Sequence, residues 1–287
     1  VYVTNPPFGY LSSLLLTNAF SVIVYDVYPD ALKNIGISEN HILFRIWSRL
    51  NKRLFNKAQS VFTLSESMAM LLSKYISKNR IKVIHNWSGS ENFKPIPNEQ
   101  NIFSKTHNLS DKFVLLYSGN IGYTHSLEVL MEVAKLLNDD DSIRFLFVGE
   151  GHKKAELMSQ AEQNNLQNCV FLTWQNADIL QYSLASAHLG VVTLNDTTGM
   201  LSVPSKTYNL MAAGVPLLSI APEKSELAIL IEKYKNGRNF PVAHAGDIAE
   251  FIVYCSRNRE ELSEMSECSL RASKNFHYSN AKSYLKD

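Results

Sequence analysis

Val203-Pro204-Ser205-Lys206-Thr207-Tyr208-Asn209-Leu210-Met211-Ala212-Ala213-Gly214-Val215-Pro216 reads as the entry to a short helix, the helix itself, and its exit into a strand. Pro204 presets φ ahead of the first turn, and the hydroxyl of Ser205 is of the kind that caps free N–H groups. Tyr208, Met211 and Ala212 recur at helical apolar spacing, and Gly214 followed by Pro216 is a stop signal. Pro216-Leu217-Leu218-Ser219-Ile220 then has the character of a short buried strand. A helix start leaves four amide protons without intrahelical acceptors, and with Lys206 in the first turn they make a ready anion site. The same spacing also fits an ordinary helix of an α/β domain with a solvated Lys206.

Moving outward toward the N-terminus, strands and helices alternate. Phe113-Val114-Leu115-Leu116-Tyr117 is a buried strand, and Ser118-Gly119-Asn120-Ile121-Gly122 leads into a helix from about Ser126 to Leu137. A strand, a glycine loop and a helix start together cradle phosphate, since glycines let the backbone approach an anion closely. Taken alone, the Gly119-x-x-Gly122 spacing occurs in many α/β turns. Ile143–Val148 is the next strand, followed by Gly149-Glu150-Gly151, a helix over 152–164, and the strand Val170-Phe171-Leu172. Trp174-Gln175 follows, then a helix over 176–186, a strand over 189–194, and the polar loop Asn195-Asp196-Thr197-Thr198-Gly199. Beyond Ile220 the pattern predicts helices over 225–234, with Asn236-Gly237 as the stop, then over 247–257 and 260–274.

The first third alternates in the same way. Ser21-Val22-Ile23-Val24-Tyr25 is nearly continuous and β-branched, as a parallel strand covered on both faces should be. It runs into Asp26-Val27-Tyr28-Pro29-Asp30, so two carboxylates fall just past a strand's carboxyl end, where α/β sheets place ligands. Either aspartate is equally at home as a turn former or helix cap. Residues 42–57 form an amphipathic helix in which Ile42, Ile46, Leu50 and Leu54 line one face. Arg45, Arg49, Lys52, Arg53 and Lys57 occupy the rest, with Trp47 and Phe55 beside them. Such a helix suits a sheet surface with a solvated basic side, or anionic lipid headgroups. Ile81-Lys82-Val83-Ile84 is a strand ending in His85-Asn86-Trp87, and the polar, proline-bearing stretch from Pro95 to Thr106 reads as a linker. Domains over 1–97 and 98–274 follow, with 275–287 returning onto the first.

The 287 residues are 45% hydrophobic and 19% charged with a net charge of +1, which excludes a disordered or fibrous chain and gives no bias toward nucleic acid. Cys169, Cys255 and Cys268 have no metal-ligand spacing, and their odd number suits packing roles in a reducing compartment. No apolar run approaches the length of a membrane span.

The Pro204–Pro216 stretch resembles the donor-site helix of the family 4 retaining glycosyltransferases of GT-B architecture, in particular the branch that builds O-antigen and capsular polysaccharide. Pro204, Ser205, Lys206, Tyr208, Ala213, Gly214 and Pro216 carry the resemblance. Asp26–Asp30 is similar to that branch's Asp-x-Trp-Pro-Glu/Asp element, and His85-Asn86-Trp87 to its Pro-Asn-Gly/Trp element. Gly119-Asn120-x-Gly122 resembles the first donor-domain loop, and Gly149-Glu150-Gly151 a later one. Two positions depart from the pattern: Leu201 and Asn209 stand where the family commonly carries glutamates.

The resemblance implies an α/β fold of two Rossmann-like parallel-sheet domains facing a cleft, the first of them lacking its N-terminal strands. It implies a hexosyl- or N-acetylaminosugar transferase using a UDP- or GDP-sugar, with no essential metal and no cofactor. The acceptor would be a glycan or lipid-linked glycan, at the inner face of the cytoplasmic membrane, which Ile42–Lys57 would touch. The donor would be held by Gly119, Asn120, Gly122, Glu150, Gly151, Trp174, Gln175, Thr198, Gly199, Pro204, Ser205, Lys206, Tyr208 and Asn209. Lys206, Asp26 and Asp30 would be the catalytic candidates. The departures at 201 and 209 also admit a non-catalytic nucleotide-sugar-binding or assembly subunit.

Overall fold

A computed structural model of the chain describes residues 1–15, 17–89, 93–122, 127–194, 203–241 and 244–285. They form two compact units. Of the described residues, one unit comprises those of 1–86 and 279–285, and the other those of 87–194 and 203–278.

The first unit is built on a parallel four-stranded sheet in sequential order: β1 (Tyr2–Val3), β2 (Ser21–Val24), β3 (Ser60–Thr63) and β4 (Ile81–Val83). Its helices are α1 (Ile42–Lys57) and α2 (Glu66–Leu72). Ser65 caps α2 by accepting from the Met68 amide at 3.2 Å. Gly9–Leu15 is a 3-10 helix.

Helix α1 departs from its predicted orientation. Its buried face is Phe44, Trp47, Asn51, Leu54 and Phe55, while Ile42 and Ile46 are 64% and 47% exposed. The aromatics have more apolar area to remove from water than the isoleucines, so they claim the sheet. Asn51 joins them because its amide is satisfied: its Oδ1 accepts from Tyr10 Oη at 2.8 Å, and Tyr10 Oη in turn accepts from Trp47 Nε1 at 2.7 Å.

The second unit carries a parallel six-stranded sheet: β5 (Phe113–Ser118), β6 (Ile143–Val148), β7 (Cys169–Leu172), β8 (Leu189–Thr193), β9 (Leu217–Ile220) and β10 (Gly237–Phe240). The spatial order is β10-β9-β8-β5-β6-β7. The chain builds outward from β5 to β7, then crosses back to β8, so direction reverses between β5 and β8. In parallel sheets ligands lie outside the strands' carboxyl ends at such a reversal. The helices are α3 (Ile102–Thr106), α4 (Glu128–Leu136), α5 (Lys154–Gln163), α6 (Ala177–Ala185), α7 (Ser205–Ala212), α8 (Glu226–Tyr234), α9 (Ala245–Arg257) and α10 (Arg259–Ser273). Two apolar clusters cover the sheet, one around Phe113, Phe145 and Phe147, the other around Leu146, Val192, Tyr208 and Met211.

The stretch from Pro95 to Thr106 is no free linker: Asn101 caps α3 by accepting from the amides of Phe103 and Ser104, and Phe103 is buried in the second unit's core. The compact units divide at Asn86–Trp87 and at Tyr278–Ser279. Gly237, read as a helix stop, opens strand β10. Lys235 supplies the left-handed cap of α8, with φ 53°. At Gly237 a Cβ would lie 1.9 Å from the carbonyl oxygen of Leu217, so glycine lets the strand approach its neighbour.

Candidate donor site

Helix α7 begins without a side-chain cap. Pro204 occupies the cap position, Ser205 is already the first helical residue, and the Thr207 amide donates back to the Pro204 carbonyl at 2.9 Å. The capping role expected of the Ser205 hydroxyl is therefore not met, and the amides of Ser205 and Lys206 have no acceptor among the described residues. The far end closes as predicted: Gly214, at φ 75°, donates to Met211, and Val215 donates to Leu210. Leu210 packs so tightly on β8 that a Cβ at Gly190 would stand 2.7 Å from its methyl carbon.

Lys206 turns its ammonium into the protein. Its Nζ is buried, has no hydrogen-bond partner among the described residues, and lies 4.0 Å from the ring centroid of Tyr117. Burial lowers its pKa to about 8. Gly119 makes this placement possible, because a Cβ there would be 2.7 Å from Nζ. Tyr117 is the residue that reading the sequence missed. It is buried, it donates from its hydroxyl to the Asn120 carbonyl at 2.7 Å, and its ring gives the ammonium a favourable surface. The available signal was an aromatic at the carboxyl end of a strand, just ahead of a glycine loop.

The glycine loop is less open than expected. The Gly119 amide donates to Val148, and the Ile121 amide donates to Glu150, so neither serves an anion; those of Asn120 and Gly122 are not so engaged among the described residues. The loop is instead locked to its neighbour. Gly149 has φ 146° and would place a Cβ 2.0 Å from the Gly119 carbonyl oxygen, and Gly151, at φ 153°, would place one 2.3 Å from that of Ile121.

Gly119, Asn120, Trp174, Gln175, Pro204, Ser205, Lys206 and Asn209 line one cavity of about 450 Å³, with Ser118 and Leu180 among its other walls. Trp174 is 55% exposed at its edge. Other candidates stand elsewhere. Tyr208 is a core residue, 3% exposed and packed on Phe276. Glu150 is held at the surface by Lys154 Nζ at 2.7 Å. Gly122 and Gly151 shape the loop without lining the cavity. Thr198 and Gly199, like Leu201, lie outside the described residues.

In the first unit the two aspartates differ. Asp30 is 5% exposed, accepts from the Tyr75 hydroxyl at 2.6 Å and is paired with Lys74. Such a carboxylate is a buried anchor and not a free acid or base. Asp26 is half-buried; its amide donates to the Thr4 hydroxyl at 3.0 Å, and burial raises its carboxyl pKa. Among the described residues no cluster of three or more His, Cys, Asp or Glu is placed to hold a metal, and no helix is long and apolar enough to cross a membrane.

The profile of the family described as glycosyl transferases, group 1, matches residues 98–270, which hold the whole cavity. The chain belongs to that family. Among curated proteins, this group 1 chain is 25% identical over 244 residues to the probable glycosyltransferase WbjE of Pseudomonas aeruginosa, covering 83% of the chain and 61% of the relative. It is 27% identical over 226 residues to the putative colanic acid biosynthesis glycosyl transferase WcaI of Escherichia coli K12, covering 76% of the chain and 55% of the relative. The chain thus spans roughly three fifths of the length of these relatives. Among solved structures, Anabaena HepE in complex with UDP superposes with a TM-score of 0.78 at 16% identity, over 97% of this chain and 74% of that one. WaaG, a glycosyltransferase involved in lipopolysaccharide biosynthesis, superposes with a TM-score of 0.70 at 15% identity, over 92% and 73%. The fold is that of the GT-B glycosyltransferases, with two Rossmann-like parallel-sheet domains.

Proposed function

We propose that the chain transfers a sugar from a nucleotide-diphosphate sugar, UDP- or GDP-linked, to a glycan or lipid-linked acceptor in cell-surface polysaccharide synthesis, with retention of anomeric configuration. The transferred group is a hexose or an N-acetylaminosugar. The reaction takes place in the cytoplasm, at the inner face of the membrane. The observation that carries this reading is the buried ammonium of Lys206, without a hydrogen-bond partner among the described residues, beside the uncapped start of α7. As the glycosidic bond breaks, negative charge grows on the leaving diphosphate. Fixed donors at that point stabilise the transition state more than the ground state. Lys206 and the amides of Ser205 and Lys206 are such donors. Trp174 offers an aromatic face for the base, and Asp26 is the carboxylate assigned to the acceptor side. Asp30, already paired, is withdrawn from the catalytic candidates.

The competing reading, a nucleotide-sugar-binding subunit without transfer activity, has one observation in its favour: a neutral Asn209 lines the cavity where the resemblance expects a glutamate. A thermal-shift screen of sugar nucleotides followed by a donor-hydrolysis assay separates the two. A transferase shows both stabilisation and slow hydrolysis of the same donor, and Lys206→Ala lowers turnover by about 10²-fold or more. Stabilisation without hydrolysis selects the binding subunit, and unchanged turnover in Lys206→Ala removes Lys206 from the mechanism.

A further inference from the structure

Asn209 lines the cavity from the middle of α7, and its side chain is already half committed. Its Oδ1 accepts from the backbone amide of Gly89 at 2.8 Å and from the hydroxyl of Ser88 at 3.2 Å. A backbone amide only donates, so the amide group cannot be turned the other way round: the carbonyl must face Gly89. Both lone pairs of that oxygen are thereby used. What Asn209 has left is its NH2, which has no partner among the described residues. Ser205 and Lys206, from the uncapped first turn of α7, line the same cavity. No carboxylate is among the described residues that line the cavity.

We infer that Asn209 is a specificity-determining residue that gives a hydrogen bond to the ligand instead of accepting one, and that the oxygens it serves are those of the diphosphate. The inference rests on the donor-site reading above and deepens it. A carboxylate at this position would present an acceptor to ligand hydroxyls and a negative charge to phosphate. The asparagine, with its carbonyl held by the Ser88–Gly89 loop, presents neither. The α7 wall of the cavity is then made of donors, which favours a ligand rich in acceptor oxygens.

The test is Asn209→Asp, read by calorimetric titration with UDP and with GDP. Aspartate is nearly isosteric and still accepts from Gly89 and Ser88, so a residue that merely holds the loop tolerates it. A residue that donates to a diphosphate does not, because the NH2 becomes an anionic oxygen. We expect roughly tenfold or greater loss of affinity for whichever nucleotide the unaltered protein binds. A second measurement requires no variant: the Asn209 side-chain NH2 signals in a nitrogen–proton correlation spectrum should move when inorganic pyrophosphate is added. If the unaltered chain binds nucleotide, yet Asn209→Asp binds equally well or those signals stay still, the inference falls and the donor site stands. If the unaltered chain binds neither UDP nor GDP, both fall together.

Discussion

Lys206 stores a conflict. Its pKa is lowered from 10.5 to about 8 by burial, which corresponds to roughly 3 kcal/mol of disfavoured charge. The sign follows from proton counting. Between pH 8 and 10.5 the unfolded chain binds a proton that the folded chain has released, so stability rises with pH across that window; below about pH 8 the burden is fully present. Replacing Lys206 by methionine should therefore stabilise the ligand-free protein at pH 7, by ~1–3 kcal/mol in chemical denaturation, while weakening nucleotide affinity. An anion beside the ammonium raises its pKa again, so binding takes up a proton whenever the free lysine is neutral. Affinity for UDP or GDP should be flat below about pH 7 and decline above pH 8, by up to tenfold per unit. Titration calorimetry in buffers of different ionisation enthalpy reports the proton uptake directly. A profile level through pH 9 would mean that Lys206 does not meet the phosphate.

At the scale of elements, what the sequence disclosed was what short-range chemistry dictates. The two ends of α7 were legible, because Pro204 and Gly214 act within a few residues of themselves. The strands on either side of the glycine loop were legible as continuous apolar runs. Strand β10 was not, since Gly237-Arg238-Asn239-Phe240 is polar and sits at a sheet edge, where no second neighbour demands hydrophobic side chains. Nor could the loop amides be judged, because Gly119 and Ile121 spend theirs on Val148 and Glu150, some thirty residues away in sequence. That interlock makes its own prediction. Alanine at Gly149 would press a Cβ to 2.0 Å of the Gly119 carbonyl oxygen, from a backbone conformation that L residues rarely adopt. We expect Gly149→Ala to lose about 2 kcal/mol or more of stability in urea unfolding and to weaken nucleotide binding as well, since Gly119 carries the space for Lys206. Unchanged stability would mean that the loop shifts without cost.

On the scale of the whole molecule the net charge of +1 conceals an uneven distribution. Helix α1 carries Arg45, Arg49, Lys52, Arg53 and Lys57 with no acidic residue, and its exposed side also presents Ile42, Leu43 and Ile46. The sequence suggested an amphipathic helix with its isoleucines turned inward; the aromatics took that face, which leaves basic and aliphatic side chains together on the outer one. Cationic and apolar groups on one helix face suit an anionic bilayer surface, where each Lys or Arg contributes about 1 kcal/mol and aliphatic side chains add what they bury. Charge reversal at Arg49 and Arg53 replaces two attractions by two repulsions, a change of ~4 kcal/mol and so on the order of several hundredfold in partitioning. The chain should pellet with phosphatidylglycerol vesicles at low ionic strength and not with phosphatidylcholine vesicles. Raising the salt to about 0.5 M should release most of it, because the Debye length then falls to a few ångströms. Arg49→Glu/Arg53→Glu should stay in the supernatant while binding nucleotide normally, since neither residue lines the donor cavity. Equal pelleting of the reversed variant, or pelleting indifferent to lipid charge, would take α1 out of any membrane role.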